Sequence, residues 1–424
     1  MRKGLTLLST GLCLLMFASE AFSEPQRVLR FVSDNGVPCM GRVIRSTDGA
    51  PTLIENLGKA DPSLCGEVSD AAQLAKIGRA FEIARKRSPN SSAIEHLTPD
   101  SLAKRLLSPV QISAESLKQR QRIIVGAGLN FSDHRSETGF SLSASENDLL
   151  LFAKLVSPTG AYQSVPMGYR LGKSEYVGLL DYEVELVLVL LKDIDLKELP
   201  NEFVFNNNVA YMVGNDLSDR EPIIMDPEHG YVQGKSHPGY LPLGPWMIHG
   251  NDMHPTWRKG GTDTLTMSLL VQDKGDYLIR TEQQGLSSQM IFNGYRIAQV
   301  LADRYSKNKL TCMRDRFGSM APLYSENGIL PAGSLILTGT PGGTAIKSPD
   351  LGDKLGLFVD GGFSLDGARQ LFLERQMAAS DALGYLQPGD LVYTEISQLG
   401  RQRWRVVEGA AQPPLERWPS ASCK

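Results

Sequence analysis

The chain has 424 residues, 42% of them apolar and 21% charged, with a formal net charge of −3. This is the composition of a globular protein long enough for a large core or for two domains. A slightly acidic balance argues against a nucleic-acid partner, which needs a clustered basic surface, so a small molecule is the expected ligand.

The first stretch, MRKGLTLLSTGLCLLMFASEAFSEPQ, carries Arg2 and Lys3, an apolar run from Leu5 to Ala18, and the small-x-small pattern Ala21-Phe22-Ser23. These features together read as a secretory signal peptide over residues 1–23, leaving an exported, periplasmic protein. The run is too short to span a bilayer, and no later stretch is apolar enough to do so after cleavage. Cys39, Cys65, Cys312 and Cys423 would remain. Cys39 and Cys65, both near the start, are the favoured disulfide pair in an oxidising compartment. With no C-x-x-C and scattered histidines, a structural zinc site is not indicated.

Residues 24–118 read as a small N-terminal α/β unit. RVLRFVSD and GRVIRS are strand-like, and Leu74, Ile77, Phe81 and Ala84 recur at helical spacing behind Ser69, a helix N-cap residue. From 119 to 412 the chain becomes strand-rich, with one clear helix in SSQMIFNGYRIAQVLADRYS, and residues 413–424 form a tail. Strands joined by long irregular connections argue for a β-rich α+β roll or sandwich and against a doubly wound sheet.

The stretch DYEVELVLVLL places Glu183 and Glu185 on one side of a strand, with Cα atoms roughly 6.6 Å apart. The apolar residues from Leu186 to Leu191 mark a strand covered on both faces. Two neighbouring buried carboxylates repel each other and lose hydration, which a hard divalent cation would offset. An E-x-E alone also fits a wet strand end or an ion pair with Lys or Arg. Asp216, in GNDLSDRE, offers a third oxygen, and three such donors without Cys or clustered His suit Mg²⁺ or Mn²⁺.

His134 and Glu137, three apart in GLNFSDHRSETG, share a face if the segment is a helical turn, with Ser132 or Asp133 as its cap. A carboxylate beside an imidazole makes a general base. A surface His near a Glu is the plainer alternative. The G-K-S of GYVQGKSHPGYLPLGPW is not a P-loop, because Gly230 and Gly234 are one residue too close. Lys235 reads instead as a fixed cation beside an anionic substrate, or as a solvated surface lysine. In ILTGTPGG, Gly339 and Thr340 follow a strand, where backbone N–H groups can approach a ligand closely or simply form a tight turn.

The order of these motifs, from H-x-x-E through E-x-E, N-D, G-K-S with P-L-G-P-W to I-L-T-G-T-P-G-G, resembles the fumarylacetoacetate hydrolase family. The likeness runs from about Arg122 to Gly343 and returns at LQPGDLVYTEISQLGRQRWRVV. It implies a mixed β-roll catalytic domain with a small N-terminal domain, dependence on Mg²⁺ or Mn²⁺, and a homodimer. It implies Glu183, Glu185 and Asp216 as metal ligands, His134 and Glu137 as the acid/base pair, Lys235 as a substrate-charge contact, and Thr340 with its neighbouring backbone as a carboxylate cradle. The reaction it implies is hydrolytic cleavage of a carbon–carbon bond in a β-diketo acid of the acylpyruvate or fumarylacetoacetate type. Decarboxylation of a 2-oxo acid, or isomerisation or hydration of an oxo-dienoate, uses the same centre, and a non-catalytic exported oxo-acid-binding protein is the alternative outside enzymes. Two departures stand out. Pro238 occupies the place three after the lysine where many members carry Asp, and residues 345–386 intervene where relatives have a very short link.

Overall fold

The computed structural model describes residues 25–138, 149–168, 175, 177–253, 265–307, 312–314 and 320–409. The expected leader, residues 1–23, and the tail, residues 413–424, lie outside the described residues. In chain order the main elements are strands β1 (Arg27–Val32), β2 (Pro38–Thr47) and β3 (Ala50–Asn56), helix α1 (Asp70–Lys86), strands β4 (Ile94–His96) and β5 (Ile124–Gly128), and helix α2 (Ser132–Glu137). Strands β6 (Leu150–Ala153), β7 (Val165–Met167), β8 (Val184–Leu190) and β9 (Val209–Asn215) precede helices α3 (Arg220–Met225) and α4 (Gly230–Gly234). Then come β10 (Met247–His249), β11 (Thr266–Gln272), β12 (Arg280–Leu286), helix α5 (Gly294–Ser306), β13 (Leu335–Leu337), helices α6 (Leu351–Asp360) and α7 (Leu365–Ala378), and strands β14 (Leu391–Ile396) and β15 (Gly400–Glu408).

The main path of the large mixed sheet runs β4-β3-β2-β1-β10-β9-β8-β13-β5-β6, and a second sheet runs β12-β11-β14-β15-β7. The strand-rich α+β class expected from the sequence is the one observed. The N-terminal strands continue the large sheet, because β1 pairs with β10 through Arg27 opposite Ile248 and Val28 opposite Met247. The small N-terminal unit therefore shares its sheet with the rest of the chain. Ser69 caps α1 as expected, its side chain accepting from the Ala72 N–H, and Cys39 and Cys65 are disulfide-linked.

Strand β8 shows why its sequence is apolar on both faces. Leu186, Leu188 and Leu190 belong to the core that also holds Met267, Leu269 and Val392 of the second sheet and Ile297 and Leu301 of α5. Val187 and Val189 belong to the core that holds Ile77, Phe81 and Ala84 of α1. Each of these β8 side chains is fully buried, a burial worth about 1.5–3 kcal/mol per residue. Gly214 lets β9 lie this close, since a Cβ there would meet Val187 Cγ2 at 2.4 Å.

The segment between 345 and 386 folds as the helical hairpin α6–α7. It packs on α3 through Leu373 and Ala345 against Ile224, Leu179 and Tyr385. Helix α6 turns Leu351, Leu355 and Val359 to solvent. No helix among the described residues is long and apolar enough to cross a membrane.

Candidate active site

Antiparallel pairing brings the start of β8 beside the ends of β9 and β13. Val184 lies opposite Asn215, and Val187 lies opposite Leu337. Residues just before β8 and just after β9 and β13 therefore meet at one edge of the large sheet. Asn215 fixes this junction: its side-chain oxygen accepts from the Glu183 N–H at 3.1 Å, and its amide donates to Thr394 Oγ1 at 3.0 Å. The Asp216 N–H donates to the Glu183 carbonyl at 2.9 Å.

The outcome is the convergence expected from the sequence. Glu183, Glu185 and Asp216 are all buried, and each offers a carboxylate oxygen within 4.8 Å of the others. Their surroundings treat them differently. Glu183 accepts from Lys235 Nζ at 2.8 Å and from Arg220 at 2.6 Å. Burial opposes its charge, but Lys235 and Arg220 outweigh it and hold the carboxyl well below the usual carboxylate range. Asp216 accepts from Lys154 and, at 2.7 Å, from Lys235. Glu185 accepts only the Gly339 N–H, at 2.7 Å, with no ion pair among the described residues. Burial, then the charges of Asp216 and Glu183, push its carboxyl well above the ordinary value.

Three residues around these carboxylates were not read from the sequence as site residues. Lys154 is wholly buried, and burial lowers its ammonium to about 8 despite the Asp216 charge. A lone lysine in the apolar run LLLFAKLV was the available signal. Arg220 bridges Glu183 and the equally buried Asp181, which it meets at 2.8 Å. Gln283 ties the turn to the strand, accepting from the Val184 N–H and donating to Thr340 Oγ1 at 2.8 Å.

The structure gives the backbone of ILTGTPGG a different immediate partner. Gly339 adopts φ +88, where a Cβ would also meet the Ala127 carbonyl at 2.7 Å. Its N–H serves the protein's own Glu185, and Thr340 Oγ1 already accepts from Gln283. Lys235 likewise points at Glu183, Asp216 and Ser218, standing between two of the carboxylates expected to hold a cation.

His134 and Glu137 lie on α2, which follows the end of β5. The cap position falls to Phe131, while Asp133 accepts from the His134 N–H at 2.9 Å. His134 is buried, and its Nδ1 has no hydrogen-bond partner among the described residues. Glu137 Oε2 stands 3.9 Å from that nitrogen, beyond hydrogen-bond distance. Glu137 is instead held by the Gly343 N–H at 2.9 Å and by Lys347 at 2.8 Å. Burial alone would raise its carboxyl, but the nearby imidazole, Lys347 and the Gly343 amide bring it down to about 2.

The donor set fits a hard divalent cation. It is all carboxylate oxygen, each oxygen keeps a second lone pair beside its present partner, and the group carries one more acid than it has cations. Glu183, Glu185, Asp216 and Asp181 face Lys154, Lys235 and Arg220.

Residues 123–407 match the family model described as fumarylacetoacetate (FAA) hydrolase C-terminal. The chain belongs to the fumarylacetoacetate hydrolase family. Its fold is also that of solved structures. A candidate HpcE protein from Mycobacterium smegmatis is 20% identical, with a TM-score of 0.55 over 90% of this chain and 99% of that one. The fumarylacetoacetate hydrolase from psychrophilic Exiguobacterium antarcticum is 19% identical, with a TM-score of 0.53 over 91% of this chain and all of that one. A protein from Mycobacterium abscessus described as a probable 2-hydroxyhepta-2,4-diene-1,7-dioate isomerase is 17% identical, with a TM-score of 0.50 over the same shares. No curated protein matches the sequence.

Proposed function

We propose that the protein is a Mg²⁺- or Mn²⁺-dependent hydrolase that cleaves a carbon–carbon bond in a β-diketo acid of the acylpyruvate type. The observation that carries this reading is the buried group of Glu183, Glu185 and Asp216, in which Glu185 alone forms no ion pair among the described residues. When bound there, the ion supplies positive charge against the negative charge that develops on the 2-oxo and carboxylate oxygens of the substrate.

The chain's own residues supply the rest. His134 faces Glu137 with Nδ1, which leaves Nε2 as the atom that takes a proton from water. The hydroxide adds to the distal carbonyl, the bond to the neighbouring methylene breaks, and that carbon accepts a proton to leave as the 2-oxo acid. The electrostatic influence of His134 on Glu183 supports a base beside the acidic group. Glu183, Glu185 and Asp216 would hold the ion, and Lys235, whose ammonium stands between Glu183 and Asp216, would supply positive charge to an anionic substrate beside them.

The same reading covers an exported protein, cleaved after Ser23, that works as a homodimer. The disulfide between Cys39 and Cys65 supports an oxidising compartment. The test is product analysis with Mg²⁺ on a panel of acylpyruvates, oxaloacetate and oxo-dienoates. Acylpyruvate should yield a carboxylic acid and pyruvate, and Glu183→Gln should abolish that turnover while leaving the fold intact. Turnover of oxaloacetate or an oxo-dienoate alone would assign a decarboxylase or isomerase, and binding without turnover would assign a carrier.

A further inference from the structure

The stem of the α6–α7 hairpin wraps Glu137. Lys347 Nζ meets Glu137 Oε1 at 2.8 Å, the Gly343 N–H reaches both carboxylate oxygens, and the Ser348 N–H donates to the Glu137 carbonyl at 2.8 Å. Gly343 can do this because it adopts φ +104 where a Cβ would collide with the Glu282 carbonyl. The stem is also pinned from below, since Asp181 accepts from the Ala345 and Ile346 N–H groups while it holds Arg220, and Arg220 holds Glu183. The hairpin thus joins the acid/base helix to a residue of the acidic group through one short chain of contacts.

His134 is the other half of the observation. Its Nδ1 is buried, faces Glu137 across 3.9 Å, and has no acceptor among the described residues. Among the described residues, Asp133, Arg135 and Glu183 are the other charges near the pair, and none of them takes that nitrogen. A half-exposed ion pair such as Lys347 with Glu137 is weak, whereas a buried ring nitrogen left without any hydrogen-bond partner is costly. The Lys347 contact and the Gly343 N–H thus hold Glu137 against the gain that pairing with His134 Nδ1 would bring.

We propose that Lys347 is a positioning residue that parks Glu137 away from His134, so that the inserted hairpin governs whether the pair is engaged. This rests on the reading of His134 and Glu137 as the acid/base pair. An anionic substrate that draws Lys347 away releases Glu137 to accept from His134 Nδ1, which fixes the tautomer with Nε2 unprotonated toward water.

The test is ring ¹⁵N and ¹H spectroscopy of His134 in the full-length protein, assigned by its loss in His134→Gln, with thermal melts to verify folding. In the wild type, Nδ1 should show no hydrogen-bonded proton. In Lys347→Met a slowly exchanging downfield Nδ1–H should appear, and it should vanish again in Lys347→Met/Glu137→Gln. Lys347→Arg should look like the wild type. With an active substrate, Lys347→Met should raise kcat several-fold and Lys347→Arg should not. An unchanged His134 ring in folded Lys347→Met overturns the inference, as does equal behaviour of the Met and Arg variants. Absence of turnover on every substrate would defeat the enzymatic reading but leave the spectroscopic result to decide this one.

Discussion

Replacing Glu185 with Gln removes the one carboxyl of the buried group that forms no ion pair among the described residues. Its ligand oxygen lies within 4.8 Å of those of Glu183 and Asp216. At an effective dielectric constant of ~20, each neighbour then opposes the Glu185 charge by about 3.5 kcal/mol. Among the described residues, the Gly339 N–H is the only hydrogen bond that offsets this at Glu185. A carboxyl that titrates higher in the native than in the unfolded state binds its proton more tightly when folded. Its stabilisation is complete below the unfolded value of about 4.3 and is lost as pH rises through the raised native value. At pH 7.5 in EDTA, Glu185→Gln should therefore melt at or above the wild type. Mg²⁺ at 100 times its Kd should stabilise the wild type by about 2.7 kcal/mol, or about 3 °C for a chain of ~400 residues. The variant should gain nearly nothing. Calorimetric melts across a Mg²⁺ and Mn²⁺ titration read both effects. A wild type indifferent to either ion, or a variant several degrees less stable in EDTA, would refute the assignment of this cluster as a cation site.

Glu137 and the disulfide give two further expected outcomes. Glu137 is held at about 2 in the folded chain, so its contribution is present above pH ~4.3 and lost as pH falls toward 2. Glu137→Gln should flatten the acid side of a melting-temperature profile in that window, and an unchanged slope would mean that Lys347 and Gly343 do not hold its charge. The Cys39–Cys65 bridge closes a loop with a sequence separation of 26, so replacing both by Ser should cost about 3.5 kcal/mol in urea unfolding. A loss under about 1 kcal/mol would show that the reduced chain already keeps those strands together.

The large features were readable because they follow from local rules. The apolar run from Leu186 to Leu191, free of glycine and proline, marks a strand covered on both faces, and the structure supplies α1 on one side and the second sheet with α5 on the other. Ser69 announced a helix start, and the acids Glu183, Glu185 and Asp216, singled out from their residue types and order, do converge in one buried group. The counter-charges were not readable, because Lys154, Asp181 and Arg220 acquire their roles only when antiparallel register brings distant segments to one sheet edge. The same holds for Gly339, whose amide was expected to meet a ligand and instead supports Glu185.

What the sequence determined by itself, then, is which residue types can form each element and which donors can bind a hard ion, since these depend on neighbours within a few positions. Tertiary structure alone decided which of those acids lacks an ion pair among the described residues and which cation stands beside Glu137. Electrostatic energy depends on distances through space, and Lys347 comes to lie 2.8 Å from a residue 210 positions earlier only after the sheet has formed.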